Sequence, residues 1–165
     1  MVLDQEIASI IMFLLKATGD PHPYYQKMPQ DFLVPSAYFP PPEIDSQGYT
    51  MSTYALNFMW FVKFFHSDDQ SAHELGFMAL TALQEQANAI PYIDEDGEPT
   101  GRKFRIKDPL LKPLDNASQL TLFWDSPRPY FREEHIPTGE PEISFHIKSA
   151  YDGALSLLDQ NEEEA

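Results

Sequence analysis

A run of alternating large apolar residues at positions 49–65 constrains the fold of this chain more than any other feature. A period of two residues is typical of a β-strand with one buried face. At roughly 3.3 Å per residue this run would span about 55 Å, whereas strands usually have about 5–6 residues. We therefore expect it either to bend at a bulge or to extend beyond its own core and meet another subunit. The apolar face would contain Tyr54, Leu56, Phe58, Trp60, Val62 and Phe64.

Two segments have the periodicity of amphipathic helices. Positions 3–18 carry an apolar stripe, with Asp4 and Glu6 near the positive end of the helix dipole. A second helix begins within 67–74, where two capping-box patterns occur, and ends before Pro91. Its expected buried stripe is Leu75, Met78, Ala79, Ala82 and Leu83.

The remaining segments complete the prediction of an α+β fold, with an antiparallel sheet, helices packed on one face and a long hairpin arm. The arm places the acidic tip 94–101 between extended limbs, and its returning limb is basic. We expect one domain over 1–147, followed by a C-terminal helix and acidic tail over 148–165. The other expected segments are a loop at 20–30, a short extended segment at 32–39 that lies at a sheet edge or along an interface, a turn at 45–48, a proline-rich connection at 108–115, a strand at 119–124 stopped by the prolines after it, and a short strand at 142–147.

Composition excludes several classes of protein. The 165 residues carry a formal charge of −15, which repels phosphate backbones and argues against a nucleic-acid binder. A hydrophobic content of 42% is too high for a disordered acidic chain. There are no cysteines, which excludes disulfides and thiolate chemistry. The apolar stretches are shorter than the roughly 20 residues that span a bilayer, and the acidic start does not resemble a signal peptide.

Three clusters could carry chemistry, and each has a plainer explanation. His66, Asp69 and His73 could approach one another at a helix start, but polar residues around a helix N-terminus are common. The acidic run at 94–96 resembles a calcium loop, yet Arg105 stands where the bidentate Glu should be. The 133–135 segment combines acid and base groups without a motif that builds a pocket. We therefore expect neither an enzyme nor a metal or other cofactor.

The chain has a surplus of aromatic residues, several of them beside prolines, and this favours a subunit of an assembly. Proline-rich segments cannot complete the hydrogen bonding of a sheet and tend to lie on surfaces. The alternative is that these aromatic residues fill one core. The candidate subunit-interface residues are Tyr38, Phe39, Trp60, Phe61, Arg102, Lys103, Phe104 and Arg105.

The order of these segments resembles the tail terminator, or tail completion, proteins of long-tailed bacteriophages and related contractile tail-like particles. The resemblance covers about residues 1–135 and is one of architecture without a diagnostic motif. The chain departs from that pattern in its 15 prolines and in the extension after residue 135. The segments that carry the resemblance are the leading helix, 34–42, the aromatic strand 54–65, the following helix, the arm 94–107 and the strand 120–124.

The resemblance implies a structural virion protein of the tail or neck, assembled in the host bacterial cytoplasm as a homo-oligomeric, hexameric ring. Such a ring caps the tail tube, ends its polymerisation and joins it to a head–tail connector or stopper protein, with the tail sheath as a further neighbour. By similarity of position, the arm 94–107 and the strand 49–65 would contact other subunits. DNA would slide through an acidic lumen without binding, because cationic side chains would instead release counterions and hold it.

Three other readings stay open. Another phage neck component, such as a head completion or stopper protein, shares small size, ring assembly and acidic character. A small cytoplasmic metal-dependent enzyme would use His66, His73 or His135 with nearby carboxylates. A monomeric module that binds a basic partner is an option for any acidic chain.

Overall fold

The computed structural model describes residues 4–132, and its centre is a pair of long antiparallel strands. The predicted strand at 142–147, the C-terminal helix and acidic tail of 148–165, and the 133–135 cluster lie outside the described residues, so the predicted domain boundary stays a prediction. The elements are α1 (Gln5–Ala17), β1 (His22–Tyr25), β2 (Ser36–Phe39), β3 (Glu43–Gly48), β4 (Thr53–Phe65), α2 (Asp69–Glu85), β5 (Ala89–Ile93), β6 (Pro99–Arg105), β7 (Lys107–Leu114) and β8 (Ala117–Pro129).

Strand β4 confirms the main prediction from the alternating run. It pairs residue for residue with β8, from Thr53 opposite Pro129 to Phe65 opposite Ala117, without a shift in register. Phe58, Trp60 and the following even-numbered residues of β4 are buried, while the odd-numbered ones from Asn57 onward are partly exposed. The strand therefore keeps one core face along most of its length without a bulge. Positions 49–52 form a turn instead of extending the strand.

The sheet is mixed, whereas the sequence predicted an antiparallel one. Its order is β1-β2-β4-β8-β7, with β3 also paired to β4, and β5 and β6 form a separate two-stranded sheet. Strands β1 and β2 run parallel, because residues 26–35 return the chain to the start of the same edge. The part of the chain that the structure describes contains two helices and eight strands, which confirms the α+β class.

Three short strands were missed by the sequence analysis. The loop at 20–30 contains β1, the turn at 45–48 belongs to β3, and the connection at 108–115 is β7. The segment at 32–39 is also not an edge, since β2 lies between β1 and β4. All six residues of β3 are exposed, and β7 contains two prolines, so neither strand shows an apolar period of two. Their backbones are held by neighbouring strands instead.

Strand β8 continues through the prolines that were expected to stop it. The Tyr130 amide donates to the Ser52 carbonyl at 3.0 Å, so alternate amides before it point toward β4. Pro127 and Pro129 therefore direct their ring nitrogens away from β4, on the side where β7 has already ended. A proline is tolerated where its missing N–H faces no partner strand.

The helices complete the core. Asp4 caps α1, whose residues Ile7, Ile10, Ile11 and Leu14 are buried as predicted. Asp68 caps α2 by accepting a hydrogen bond from the Ser71 amide at 2.9 Å. The cap is therefore neither Ser67 nor Ser71, which begin the two capping-box patterns. The buried stripe of α2 also differs from the prediction, because Met78 is exposed. It consists of Ala72, Gly76, Ala79 and Leu83.

Small residues let α2 lie close to the sheet. The Ser118 hydroxyl donates to the Ala72 carbonyl at 2.7 Å. A Cβ atom on Gly76 would lie 2.5 Å from both Leu111 Cδ1 and Ser118 Oγ. Glycine at this position therefore allows the helix backbone to approach β7 and β8. Within residues 4–132, neither helix combines the length and apolar character needed to cross a membrane.

Candidate interaction surface

The eight predicted interface residues lie in different environments. Phe39 and Trp60 are each 1% exposed, and their rings lie 5.8 Å apart in the core. The Trp60 indole N–H donates to the Pro40 carbonyl, which also fixes the start of the proline run. These two aromatic residues fill the core of their own chain and offer no surface to a neighbour. They are therefore removed from the candidate contact residues.

Tyr38 and Phe61 are partly exposed beside a groove on the opposite side of the sheet from the buried side chains of β4. The groove is also lined by Pro40, Pro41 and Lys63. The Tyr38 hydroxyl donates to the Gln26 carbonyl at 3.1 Å, which ties β2 to the segment after β1. Both rings are available for contact, and their role at an interface stays a prediction.

The basic residues of β6 are presented on an exposed strand. Arg102, Lys103 and Arg105 are all exposed, whereas Phe104 is partly buried with its ring 4.8 Å from that of Tyr92. The Arg102 guanidinium lies 5.2 Å from the centre of the Tyr92 ring. Neither Lys103 nor Arg105 is within ion-pair distance of a carboxylate of residues 4–132. The strand thus presents positive charge that the described chain does not neutralise.

Polar side chains of α1 hold the hairpin formed by β5 and β6. The Gln5 side-chain amide donates to the Ile93 carbonyl at 2.8 Å, and the Ile93 amide donates to the Ser9 hydroxyl at 3.1 Å. Beyond β5, the Asp94 carboxylate accepts from the Glu98 amide at 2.8 Å and closes the acidic tip. These bonds fix β5 against the helix. The prediction that the hairpin forms a long arm stays a prediction.

Glu6 is the central residue of this attachment, although it is only 4% exposed. Its carboxylate accepts from the Tyr92 hydroxyl at 2.8 Å and from the Trp124 indole N–H at 2.9 Å. One buried carboxylate thereby joins α1, β5 and β8. Burial, followed by the hydrogen bond to Glu6, raises the pKa of Tyr92 to about 12.

An ion pair between Asp4 and Arg128 lies at the same end of α1 as Glu6. Asp4 pairs with Arg128, and this carboxylate raises the pKa of the guanidinium. Because Asp4 is also the N-cap of α1, the pair joins the start of the helix to the end of β8. The sequence analysis assigned Asp4 and Glu6 only to the helix dipole. No local pattern signals their partners, since Tyr92, Trp124 and Arg128 are distant in sequence.

The acidic strand β3 was also missed as a candidate surface. Glu43 and Asp45 point to the outer face of the sheet, beside Met59 and Asn57 of β4. Ile44, on the other face of the strand, is 56% exposed. The available sequence signal was the pair of carboxylates, Glu43 and Asp45, that follows the proline run. A turn was predicted there because Asp, Ser and Gly are common in turns.

The turn before β4 exposes further apolar side chains. Tyr49 is 64% exposed and Met51 is 98% exposed. Hydrogen bonds from the amides of residues 49 and 50 to the Thr53 carbonyl hold the turn. Behind it, the rings of Tyr54 and Tyr130 lie 5.5 Å apart. This end of the sheet therefore presents an apolar tip on an ordered base.

Two of the candidate metal residues, His66 and Asp69, have other partners. The Ser67 amide donates to His66 Nδ1 at 2.8 Å, and the Asn116 amide donates to the Asp69 carboxylate. Over residues 4–132, no three His, Asp or Glu side chains are grouped as a metal site would require. In the acidic run at 94–96, the Asp94 carboxylate accepts hydrogen bonds from backbone amides of its own turn.

Comparison with known proteins identifies the family. No protein-family profile matches the chain. The protein YqbJ of Bacillus subtilis (strain 168), itself uncharacterised, is 34% identical over 135 residues, which make up 80% of this chain and 90% of YqbJ. The phage-like element PBSX protein XkdJ of the same strain is 31% identical over 135 residues, covering 82% of this chain and 92% of XkdJ. The chain therefore belongs to the phage-related family of YqbJ and XkdJ.

Proposed function

We propose that this protein is a structural virion component that acts as a tail terminator. Its copies form a ring, hexameric by the resemblance, that caps the tail tube and ends polymerisation. The same ring provides the joining surface for the head–tail connector or stopper protein. The observation that carries the proposal is the similarity to a protein of a phage-like element along nearly its whole length.

The surfaces of the chain support an assembly role. The exposed basic residues of β6, the acidic strand β3 and the apolar turn 49–52 give the chain three chemically different surfaces. In the proposed ring, the helices pack on one face of the sheet and the hairpin serves as an arm toward a neighbouring copy. The apolar turn contacts the tail tube, because exposed aromatic and methionine side chains are enriched at protein interfaces.

The net charge of −15 supports a conduit for DNA. A lumen lined by carboxylates repels phosphates, whereas lysine or arginine would release counterions and retain the DNA. We place the acidic groups outside β3 toward the lumen and the basic limb toward a neighbouring copy. The protein is then a component of the tail or neck, assembled in the host bacterial cytoplasm, that needs neither catalytic residues nor a cofactor.

Deleting the gene from an inducible phage or phage-like element tests the role directly. Negative-stain imaging should show tail tubes of uncontrolled length without heads attached, and expression from a plasmid should restore uniform, joined tails. A stopper or head completion protein would give normal tail lengths with unattached heads. Tails of normal length in the deletion strain would therefore overturn the terminator proposal.

Binding of the purified protein provides an independent test. Gold-labelled protein should bind to one end of isolated tail tubes. Native mass spectrometry should detect rings, either of the protein by itself or after tail tubes are added. The matched control is the portal-side connector, which a stopper would bind in preference to tube ends. Monomers under both conditions would contradict a ring.

A further inference from the structure

Two strand edges of the described chain are suited to pairing with another copy. Within residues 4–132, the open edges belong to β1, β3 and β7 of the larger sheet and to β5 and β6 of the smaller one. A proline within an edge removes a backbone donor and discourages pairing. Such prolines are Pro23 in β1, Pro91 in β5, and Pro109 and Pro113 in β7. Strand β3 has none, and β6 has only Pro99 at its first position.

The side chains of these two edges are complementary. Strand β3 carries Glu43 and Asp45, while β6 carries Arg102, Lys103 and Arg105. Pairing either strand with its own copy would place like charges near one another, which is destabilising. Pairing β3 with β6 would instead place opposite charges together. The chemistry therefore favours a contact between unlike edges of two copies.

One antiparallel register satisfies three pairs at once. With Ile44 opposite Phe104 of a second copy, Glu43 stands opposite Arg105 and Asp45 opposite Lys103. Alternation along both strands puts the two ion pairs on one face and the apolar pair on the other. Ile44 is 56% exposed, so this pairing would also cover an apolar side chain. Antiparallel pairs are the more common and slightly more stable kind.

We propose that β3 of one copy pairs in this register with β6 of the next copy, extending the sheet across the subunit boundary. This inference rests on the proposed ring and names the contact that closes it. The contact is head-to-tail, since it joins two different surfaces, and repeated contacts of this kind close into a ring when the rotation allows. Hydrogen bonds between β5 and the side chains of Gln5, Glu6 and Ser9 hold the hairpin that presents β6.

Engineered disulfides test the register, because the natural chain has no cysteine. Glu43→Cys and Arg105→Cys are made as separate single variants, mixed and oxidised. Directly opposite residues have Cβ atoms about 4.5–5.5 Å apart, close to disulfide geometry. A covalent dimer containing one of each variant should form only in the mixture. The control mixture of Glu43→Cys with Thr100→Cys should give little product.

Three results would overturn the proposal in different ways. A higher yield from Glu43→Cys with Lys103→Cys would overturn the proposed register, because a shifted antiparallel pair or a parallel pair brings those two positions together. Rings in native mass spectrometry without either product would overturn the strand pairing and leave the tail terminator proposal standing. Monomers alone and with tail tubes would overturn both.

Charge reversal tests the ion pairs without cysteine. Lys103→Glu combined with Arg105→Glu should raise the subunit concentration needed for half-assembly by at least about tenfold, since attraction becomes repulsion at two positions. Adding Glu43→Lys and Asp45→Lys to the same chain should restore assembly. Circular dichroism checks that each variant is folded. Folded charge-reversed variants that assemble like wild type, or no rescue by the second reversal, would overturn the pairing.

Discussion

Replacing Glu6 by leucine should destabilise the protein by about 2–4 kcal/mol. The change leaves the fully buried Trp124 N–H and the partly buried Tyr92 hydroxyl without their acceptor. A buried polar group without a partner costs about 1–3 kcal/mol, and the gain from burying leucine offsets part of the sum. Total stabilities of about 5–15 kcal/mol make this a large fraction. At roughly 3 °C per kcal/mol for a chain of this size, the melting temperature should fall by about 6–12 °C.

Urea unfolding followed by tryptophan fluorescence measures this loss, because Trp60 and Trp124 are both buried in the core. Glu85→Leu, at an exposed position near the end of α2, is the matched control and should change stability by less than about 0.5 kcal/mol. Glu6→Gln should give an intermediate loss, since its carbonyl can still accept one bond. An unchanged or higher midpoint for Glu6→Leu would show that desolvation of the carboxylate outweighs its hydrogen bonds and would refute the reasoning.

Three further predictions follow from individual contacts. Gly76→Val should destabilise by about 1–3 kcal/mol in urea unfolding, because its side chain would overlap Leu111 and Ser118, whereas Glu74→Val on the exposed side of α2 should have little effect. The raised pKa of Tyr92 contributes stability that is fully present below pH 10 and is lost as the pH approaches 12. Tyr92→Phe should remove this part of the loss of stability at alkaline pH, together with the tyrosine ionisation that occurs at the highest pH in absorbance near 295 nm. A variant whose titration is identical to that of the wild type would contradict the prediction. Hydrogen bonds from the Ser71 amide and hydroxyl lower the pKa of Asp68, so Asp68→Ala should destabilise at neutral pH and less so as the pH falls through the acidic range; a difference that does not vary with pH would contradict that cause.

The sequence predicted the parts of the fold whose own side chains carry a periodic signal. The alternation of β4 reflects its packing, since Trp60, Val62 and Phe64 point into the core. The stripe of α1 was correct for the same reason. For α2 the helix and the buried residues Ala79 and Leu83 were predicted. Ala72 and Gly76 were missed, because the close approach of the helix there selects small residues that hydropathy does not rank as core.

The missed strands depend on their partners. Strand β3 is exposed along its length, and β7 contains Pro109 and Pro113, so their extended form follows from pairing with β4 and β8. Composition alone made both look like turns or connections. The continuation of β8 through Pro127 similarly depends on which side of the strand lacks a partner.

The candidate surface could be predicted only in part. The basic limb of β6 is exposed, as its charge indicated. Phe39 and Trp60 are core residues, and they were predicted at an interface because aromatic character does not distinguish a core from an interface. Glu6 was missed because its hydrogen-bond donors come from distant elements, β5 and β8. Acidic β3 was missed because its significance depends on the strand edge it leaves open.

The pairing of β4 with β8 also affects how the chain must fold. Both α2 and the β5–β6 hairpin lie between these strands in sequence, so the central pair closes a large loop. Such non-local pairing is slow relative to the formation of helices and hairpins. During synthesis, the edge of β4 that pairs with β8 stays open until β8 emerges. Chains that end before β8 leave this edge unpaired, which makes them prone to aggregation.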